Sequence, residues 1–357
     1  MSLTILDGKS ILITGGTGSL GKTLVRRMLS GAHGAPRKII VFSRDEAKQH
    51  DMRLSYLHQA ATTDEVTYHN FLRLLEFRIG DIRSYADVSA ALRGVDIVIN
   101  AAALKQVPVC EYFPTQAILT NTLGAENLAR AIQDHAFPVD VVAGVSTDKA
   151  CKPINVMGMT KSLQERIFIA ANVLSEHTRF VCVRYGNVLA SRGSVIPVFH
   201  EQIAAGGPVT VTAPEMTRFL LSLDQAVDTV LAAIASALPG EIYVPVAPSA
   251  TIMNVAKALI GSRQVELTIT GIRPGEKLHE ILISEEESPR VVRRGEYYVI
   301  RPMLPELASE GVASSPLPFK EYSSSVDTLD PAGTAALLQR NGLLDPASTR
   351  AAVELLR

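Results

Sequence analysis

An apolar run from Val139 to Val145 breaks off into Ser146-Thr147-Asp148-Lys149. That is how a buried strand of a parallel sheet ends, and the carboxyl ends of such strands are where open α/β sheets bind ligands. After Pro153 the pattern turns helical and carries Met157 and Lys161 four residues apart, on one face. Residues 146–161 are therefore expected to aim a hydroxyl (Thr147), a carboxylate (Asp148) and two amines (Lys149 and Lys161) at a common point. An acid, a base and a cation held together are what proton-transfer chemistry requires. In isolation the segment reads equally as a charged loop before a solvated helix; its surroundings decide. Cys151, inside it, reads as a small loop or core residue rather than a nucleophile.

The elements that position this segment follow from the chain order. Ser10–Thr14 is an apolar strand, followed directly by Gly15-Gly16-Thr17-Gly18-Ser19-Leu20-Gly21 and a helical pattern through Leu24, Val25, Met28 and Leu29. Gly15, Gly18 and Gly21 form a dinucleotide fingerprint in which glycine lets the backbone approach a pyrophosphate at the helix N-terminus. A second strand, Lys38–Phe42, ends in Ser43-Arg44-Asp45-Glu46. NAD enzymes usually place an acid here and NADP enzymes a cation; Arg44, with Lys48 a turn further on, favours NADP, while Asp45 keeps NAD open. The helix from Asp45 to about Ala60 reads as solvated on its outer side, and residues 61–71 as a polar connection. A third strand, about Leu74–Ile79, leads into Asp81 and Ile82; Asp81 reads either as an acceptor for the adenine amino group or as a helix cap. A fourth, Val95–Asn100, precedes Ala101, Ala102 and Ala103, small enough for a nicotinamide ribose to pack close, and then Lys105.

A long amphipathic segment, Glu111 to His135, carries Asn121 and Gly124, and Phe180–Arg184 is a sixth strand. Strands alternating with helices through residue 185 predict an α/β, doubly wound parallel sheet. Residues 1–186 form its dinucleotide-binding domain. Beyond Asn187, prolines at 197, 208, 214, 239, 245 and 248 interrupt the pattern, so 187–330 read as a smaller substrate-binding lobe over the carboxyl edge. Its helices are expected at Leu223–Ala237 and Thr251–Ile260. Residues 331–357 read as a helical extension turning at Gly342.

Composition sets the outer bounds. The chain has 357 residues, 47% of them hydrophobic and 20% charged, ordinary for a soluble globular protein. A net charge of −1 gives no bulk electrostatic reason for nucleic acid or an anionic membrane. No apolar run reaches membrane-spanning length, and no secretion signal is readable. Three scattered cysteines without metal spacing fit reduced thiols in a cytoplasm, and no metal site is readable.

With these features assembled, the chain resembles the extended short-chain dehydrogenase/reductase superfamily, whose tyrosine-xxx-lysine pair falls here at Met157 and Lys161. Closer matches run the whole length: Phe42–Glu46, Ala101–Pro108, Ser146–Lys149, Arg184–Val188, Ser191–Val195, Met216–Phe219 and Arg273–Leu278. Together they are similar to the soluble UDP-N-acetylglucosamine 4,6-dehydratases of bacterial polysaccharide and glycan synthesis. The resemblance implies a Rossmann fold, NADP, a UDP-N-acetylhexosamine substrate and a homo-oligomer. It implies Lys149 as the base at C5 and Asp148 as the acid for the departing C6 hydroxyl, with Lys161 at the cofactor. Lysine acts as a base only if its pKa is lowered, here expected from burial, Lys161 and the oxidised nicotinamide.

Met157 departs from the superfamily. A thioether cannot take the C4 hydroxyl proton as a tyrosinate would, so Thr147, Asp148 or water must manage it, and Met157 reads equally as a packing residue. Some dehydratases of this group share the methionine. For substrate, Asn187, Arg192 and Arg273 are expected at the diphosphate, where arginine's fork suits phosphate oxygens, Glu276 at the uridine ribose, and Lys105 and Ser194 elsewhere in the substrate site. His279 reads as structural, and Arg290, Arg293 and Arg294 as solvated surface. The motifs 101–108 and 153–161 look most like the branch that inverts C5; methionine at 157 also occurs in retaining relatives, so a C5-retaining UDP-N-acetylhexosamine 4,6-dehydratase stays open as an alternative. A 4-epimerase or reductase is the alternative within enzymes, and a silent NADP-binding regulator the alternative outside them.

Overall fold

The computed structural model describes residues 4–59, 65–189, 194–272, 275–307, 319–347 and 349. Six strands alternate with helices as the hydrophobic pattern requires. They are β1 (Ser10–Thr14), β2 (Lys38–Ser43), β3 (Leu75–Ile79), β4 (Ile97–Asn100), β5 (Val141–Thr147) and β6 (Arg179–Tyr185). All pair in parallel, in the order β6-β5-β4-β1-β2-β3. The central strands are apolar on both faces because helices cover both. One layer is α1 (Ser19–Leu29), α2 (Glu46–Gln59) and α3 (Glu65–Leu74); the other includes α4 (Tyr85–Ala91) and, further on, the helices beside β5. This is the doubly wound sheet that the sequence predicts.

Two local expectations change. Much of the polar connection after α2 is the helix α3, whose Phe71 and Leu74 are buried against Tyr56 and the sheet. The long amphipathic segment is broken: α5 (Val107–Tyr112) and α6 (Pro114–Ala117) precede a wide π-helical turn, Ile118–Leu123, before α7 (Gly124–Asp134). Pro114 starts α6 and ends the run before it, since proline lacks the amide needed to continue a helix. α8 (Val156–Ala171) follows β5, its first turn capped by Asn155, whose Oδ1 accepts from the Gly158 amide at 2.8 Å. Gly158 is required there: a Cβ would overlap the carbonyl of Lys149.

The second half is built from α9 (Val195–Ala204), β7 (Val209–Val211), β8 (Thr217–Phe219), α10 (Leu223–Ser236), β9 (Ile242–Pro245), β10 (Ser249–Thr251), α11 (Ile252–Ile260), β11 (Leu267–Ile269) and β12 (Ile281–Ile283). β13 (Val291–Arg294), β14 (Tyr297–Ile300), the two-residue strands β15 (Tyr322–Ser323) and β16 (Thr328–Leu329), and α12 (Pro331–Arg340) follow. β9 joins β6 in parallel, then β14 and β13 add antiparallel strands, so a sheet of nine strands draws on both halves of the chain. The smaller lobe has its own core, in which Phe199, Val211, Val255, Leu259 and Leu338 are buried together. The helix α12 ends just before Gly342, which sits at φ +67. No helix among the described residues is long and apolar enough to cross a membrane.

Lobe and sheet are tied by a buried ion cluster. Arg184, on β6, is 1% exposed. Its guanidinium donates to both oxygens of Glu165 on α8, at 3.0 and 2.6 Å, and to both oxygens of Glu287, at 2.8 and 2.9 Å. It also donates to the Leu282 carbonyl on β12 at 2.9 Å. Arg294, expected on the solvated surface, instead makes a bidentate pair with buried Glu241, both contacts at 2.6 Å. The pairing across β9 to β14 brings that strand pair beside Glu241, which sequence spacing does not reveal.

Arg184→Ala leaves two buried carboxylates without a cation, and such a loss costs about 3–5 kcal/mol. Urea unfolding should show it as a large fall in midpoint. A change below about 1 kcal/mol, the scale of an exposed pair, would mean the cluster does not hold the lobes together.

Candidate active site

The glycine turn joins β1 to α1. Gly15 has φ +64, and a Cβ there would lie 2.8 Å from the backbone of Ala102. Gly18 is the N-cap of α1 and offers no side-chain acceptor, so the amides of the first turn point outward uncapped. Thr14 fastens the facing segment: its hydroxyl donates to Asn100 at 2.6 Å and accepts from the Ala102 amide at 3.2 Å. A cradle that a single methyl would fill, opening on a helix N-terminus, fits a dinucleotide pyrophosphate.

The expected cofactor residues gather along this edge. Thr17 Oγ1 donates to Ser43 Oγ at 3.3 Å, and Ser43 Oγ accepts from the Asp45 amide at 3.2 Å. Arg44 is largely exposed, its guanidinium 3.9 Å from Asp81. Lys48 pairs with Asp45 at 2.7 Å. Asp81 is not a helix cap; Ser84 caps α4, accepting from the Asp87 amide. Both Asp81 oxygens instead accept from Arg83, and this hydrogen bonding holds the carboxyl below the usual range despite partial burial. Ser19, Leu20 and Gly21 form the first turn of α1, and Ile82 packs under Gly124.

At the end of β5 the polar residues converge. Asp148 is fully buried. Its Oδ1 accepts from Thr147 Oγ1 at 2.8 Å and from Lys149 Nζ at 3.0 Å, while Oδ2 has no partner among the described residues. Lys149 Nζ also lies 3.3 Å from Oε1 of Glu280, a residue sequence reasoning passed over. Arg218 Nε stands 3.7 Å from the same oxygen. Burial pushes the Lys149 ammonium down, but the charges of Asp148 and Glu280 together outweigh it and hold Lys149 above the ordinary lysine range. Burial, reinforced by Asp148, pushes the Glu280 carboxyl up, against the pull of Lys149 and Arg218.

This corrects the expectation of a Lys149 pKa lowered by burial and by Lys161. Lys161 is buried and donates to Gln164 Oε1 at 2.7 Å, and burial pushes it down to about 8. The hydroxyl, the carboxylate and one amine do meet; the second amine turns to Gln164, whose own amide is fastened to the Val145 carbonyl. Met157 packs with Cys110 and Ala117 in a small apolar cluster. Cys151 is buried and its thiol is pushed up to about 12, as expected of a packing residue.

Asn121, on the π-helical turn, is a second residue whose role sequence reasoning missed. It accepts from the Leu104 amide at 2.8 Å, donates to the Leu104 carbonyl at 2.9 Å and donates to Thr160 at 3.0 Å. It thereby fixes the segment 101–105 against α8. A polar residue inside an amphipathic helix pattern was the available signal.

Of the expected substrate residues, four lie among the described residues. Lys105 and Asn187 are exposed, and the Asn187 carbonyl accepts from the Leu221 amide. Ser194 Oγ and Glu276 Oε2 are buried without partners among the described residues. Glu276 adjoins the site because Gly275 accepts from Asn155 and Lys277 donates to the Cys151 carbonyl at 2.7 Å. Arg192 and Arg273 lie outside the described residues. His279 Nδ1 hydrogen-bonds Thr217 at 2.8 Å.

A doubly wound sheet, a glycine cradle after β1 and a buried charged cluster at the end of β5 mark an enzyme of the Rossmann-type, extended short-chain dehydrogenase/reductase fold. Residues 11–302 match the model of the family described as polysaccharide biosynthesis protein, and the chain belongs to that family. It is 46% identical over 299 residues to a UDP-glucose 4-epimerase of Rickettsia akari, covering 82% of each chain. Among solved structures it is similar to Pen from Bacillus thuringiensis, with 31% identity, a TM-score of 0.81, and coverage of 95% of this chain and 99% of Pen. The dTDP-glucose 4,6-dehydratase DesIV of Streptomyces venezuelae, solved with NAD bound, shares the fold at 21% identity and a TM-score of 0.61, over 75% of this chain and 86% of DesIV.

The depressed Lys161 pKa makes a pH prediction. A lysine moved from 10.5 to about 8 in the fold is a cost that is fully present below about 8 and disappears as pH rises past the unfolded value. Stability measured against Lys161→Met should therefore favour the wild type more at pH 10.5 than at pH 7, by up to about 3 kcal/mol. A difference that does not vary with pH would show that Lys161 is not desolvated in solution.

Proposed function

We propose that this chain catalyses the NADP-dependent 4,6-dehydration of UDP-N-acetylglucosamine, giving a UDP-2-acetamido-2,6-dideoxy-4-hexulose, with inversion at C5, for surface polysaccharide or glycan synthesis. The observation that carries the reading is the buried Asp148–Lys149 pair at the carboxyl end of β5, beside a thioether where the superfamily has a phenol. Residues 1–186 hold the cofactor, 187–330 supply the nucleotide-sugar site, and 331–357 are a C-terminal extension that begins with α12. The glycine cradle, Ser43, Arg44, Lys48, Asp81, Ile82 and Ala101–Ala103 hold the dinucleotide. When bound, a nicotinamide cofactor supplies hydride acceptance at C4 and return at C6, so the reaction is redox-neutral.

The protein's own groups manage the protons. With C4 at the ketone level the C5 proton is acidic, and Lys149 removes it. Asp148 donates a proton to the C6 hydroxyl, the C6–O bond breaks and water leaves; a proton then returns to C5. Thr147, hydrogen-bonded to Asp148, gives the C4 hydroxyl proton a path that Met157 cannot. Asn187, Arg192 and Arg273 serve the diphosphate, Glu276 the uridine ribose, and Lys105 and Ser194 the rest of the substrate site.

The name carried by the Rickettsia relatives favours a second reading, 4-epimerisation. An epimerase handles one proton at C4 and needs no acid–base pair for C5 and C6, the role this proposal gives to Asp148 and Lys149. Incubation with UDP-N-acetylglucosamine and no added reductant separates the readings by product mass. Loss of one water supports dehydration, an isomer supports epimerisation, and an unchanged sugar supports a binding protein. In heavy water, Lys149→Ala should lose deuterium incorporation at C5 and fall roughly 10²–10⁴-fold in turnover. Incorporation at the wild-type rate would remove Lys149 from the role of base.

Cofactor choice is tested separately. Arg44→Ala should weaken NADP by about 1.5–3 kcal/mol, the value of a charge-assisted hydrogen bond, and leave NAD nearly untouched. Calorimetric titration showing both affinities unchanged would overturn the assignment.

A further inference from the structure

Glu280 stands immediately before β12, in the part of the chain that builds the smaller lobe, yet its carboxylate reaches the end of β5. Its backbone is clamped at both poles: the amide donates to Ser324 Oγ at 2.9 Å, and the carbonyl accepts from the Ser324 amide at 2.8 Å. The residue is 3% exposed. Oε1 lies 3.3 Å from Lys149 Nζ, and Oε2 is buried with no hydrogen-bond partner among the described residues. Asp148 repeats the pattern, with Oδ1 on the same ammonium and Oδ2 unpartnered. Two dry carboxylates thus share one amine.

The other charged groups facing this cluster make their hydrogen bonds to other partners. Arg218 donates to the carbonyls of Thr217 and Leu278 at 2.7 and 3.2 Å, leaving its Nε 3.7 Å from Glu280. Lys277 is spent on the Cys151 carbonyl, and His279 turns to Thr217. Lys149 is therefore the cation closest to both acids. An opposite charge a few ångströms away favours the protonated amine, and each such neighbour adds to the effect. A base at C5 must first be free of its proton, so the charge on the second carboxylate decides how readily Lys149 becomes one.

We propose that Glu280 is a positioning residue of this site: it fixes the Lys149 amine beside Asp148 and sets how firmly that amine keeps its proton. The smaller lobe thereby controls the readiness of a base that belongs to the main sheet. The link to catalysis rests on the reading of Lys149 as the C5 base; the link to the amine's proton does not.

The test reads the amine directly. The folded protein is exposed to trace acetic anhydride over a range of pH, and acetylation at Lys149 is followed by mass spectrometry. In the wild type the Lys149 midpoint should lie above that of exposed lysines in the same sample. In Glu280→Gln, which keeps the shape and removes the charge, the midpoint should fall by about one pH unit or more. Glu280→Asp, which keeps the charge, should stay nearer the wild type. With UDP-N-acetylglucosamine, the acid limb of kcat should move down in pH in Glu280→Gln while KM stays within about twofold, a split that a merely structural role would not produce.

A wild-type midpoint at or below that of exposed lysines overturns the proposal, and needs no variant to fold. So does a Gln variant that melts as the wild type does and labels at the wild-type pH. If the wild type instead labels as expected but releases no dehydrated sugar, the proposed function fails and the role of Glu280 toward Lys149 stands.

Discussion

The guanidinium of Arg184, enclosed between Glu165 and Glu287, is the interaction on which the rest of the arrangement depends. Both partners are carboxylates in a dry interior, where an unpaired charge is far more costly than in water. The cluster therefore forms only if β6, α8 and the segment after β12 arrive together. Glu165 also accepts from Ser146 at 2.5 Å, one residue before Thr147 and two before Asp148. Fixing the guanidinium fixes the floor of the site.

Above that floor the electrostatics are set by how few cations face the acids. Asp148 and Glu280 come from distant stretches of the chain and converge on one lysine. Because both are shielded from solvent, their influence on Lys149 exceeds the effect of its own burial. The arrangement favours a protonated amine in the free protein. The apolar cluster around Met157 offers only the weak hydrogen-bonding groups of a thioether and a thiol, and the thiol, on Cys110, is turned to the Leu104 carbonyl.

Much of the fold was legible in the sequence because it rests on local patterns. Continuous apolar runs bounded by polar residues identify strands buried on both faces, as in β1, β2 and β4, while β3, at the sheet edge, shows as an alternating run. The glycine turn is legible for a related reason, as only glycine fits where Gly15 approaches Ala102. α3 was not legible, because its polar outer face outweighs the few apolar residues it buries. Nor was the membership of β9, β13 and β14 in the central sheet, since strand pairing between distant segments leaves no trace in local periodicity.

The same division holds in the site. The sequence by itself determined that Thr147, Asp148 and Lys149 stand at the end of a buried strand, because adjacent residues cannot be separated by folding. Only the tertiary structure decided that Glu280 joins them while Lys161 turns to Gln164. Glu280 is 131 residues away from Lys149 in the chain, and nothing at either position encodes the other. Their contact exists because the chain returns after β11 and lays the start of β12 across the mouth of β5. A proton affinity depends on every charge within a few ångströms, so the reactivity of Lys149 belongs to the fold and not to the segment that carries it.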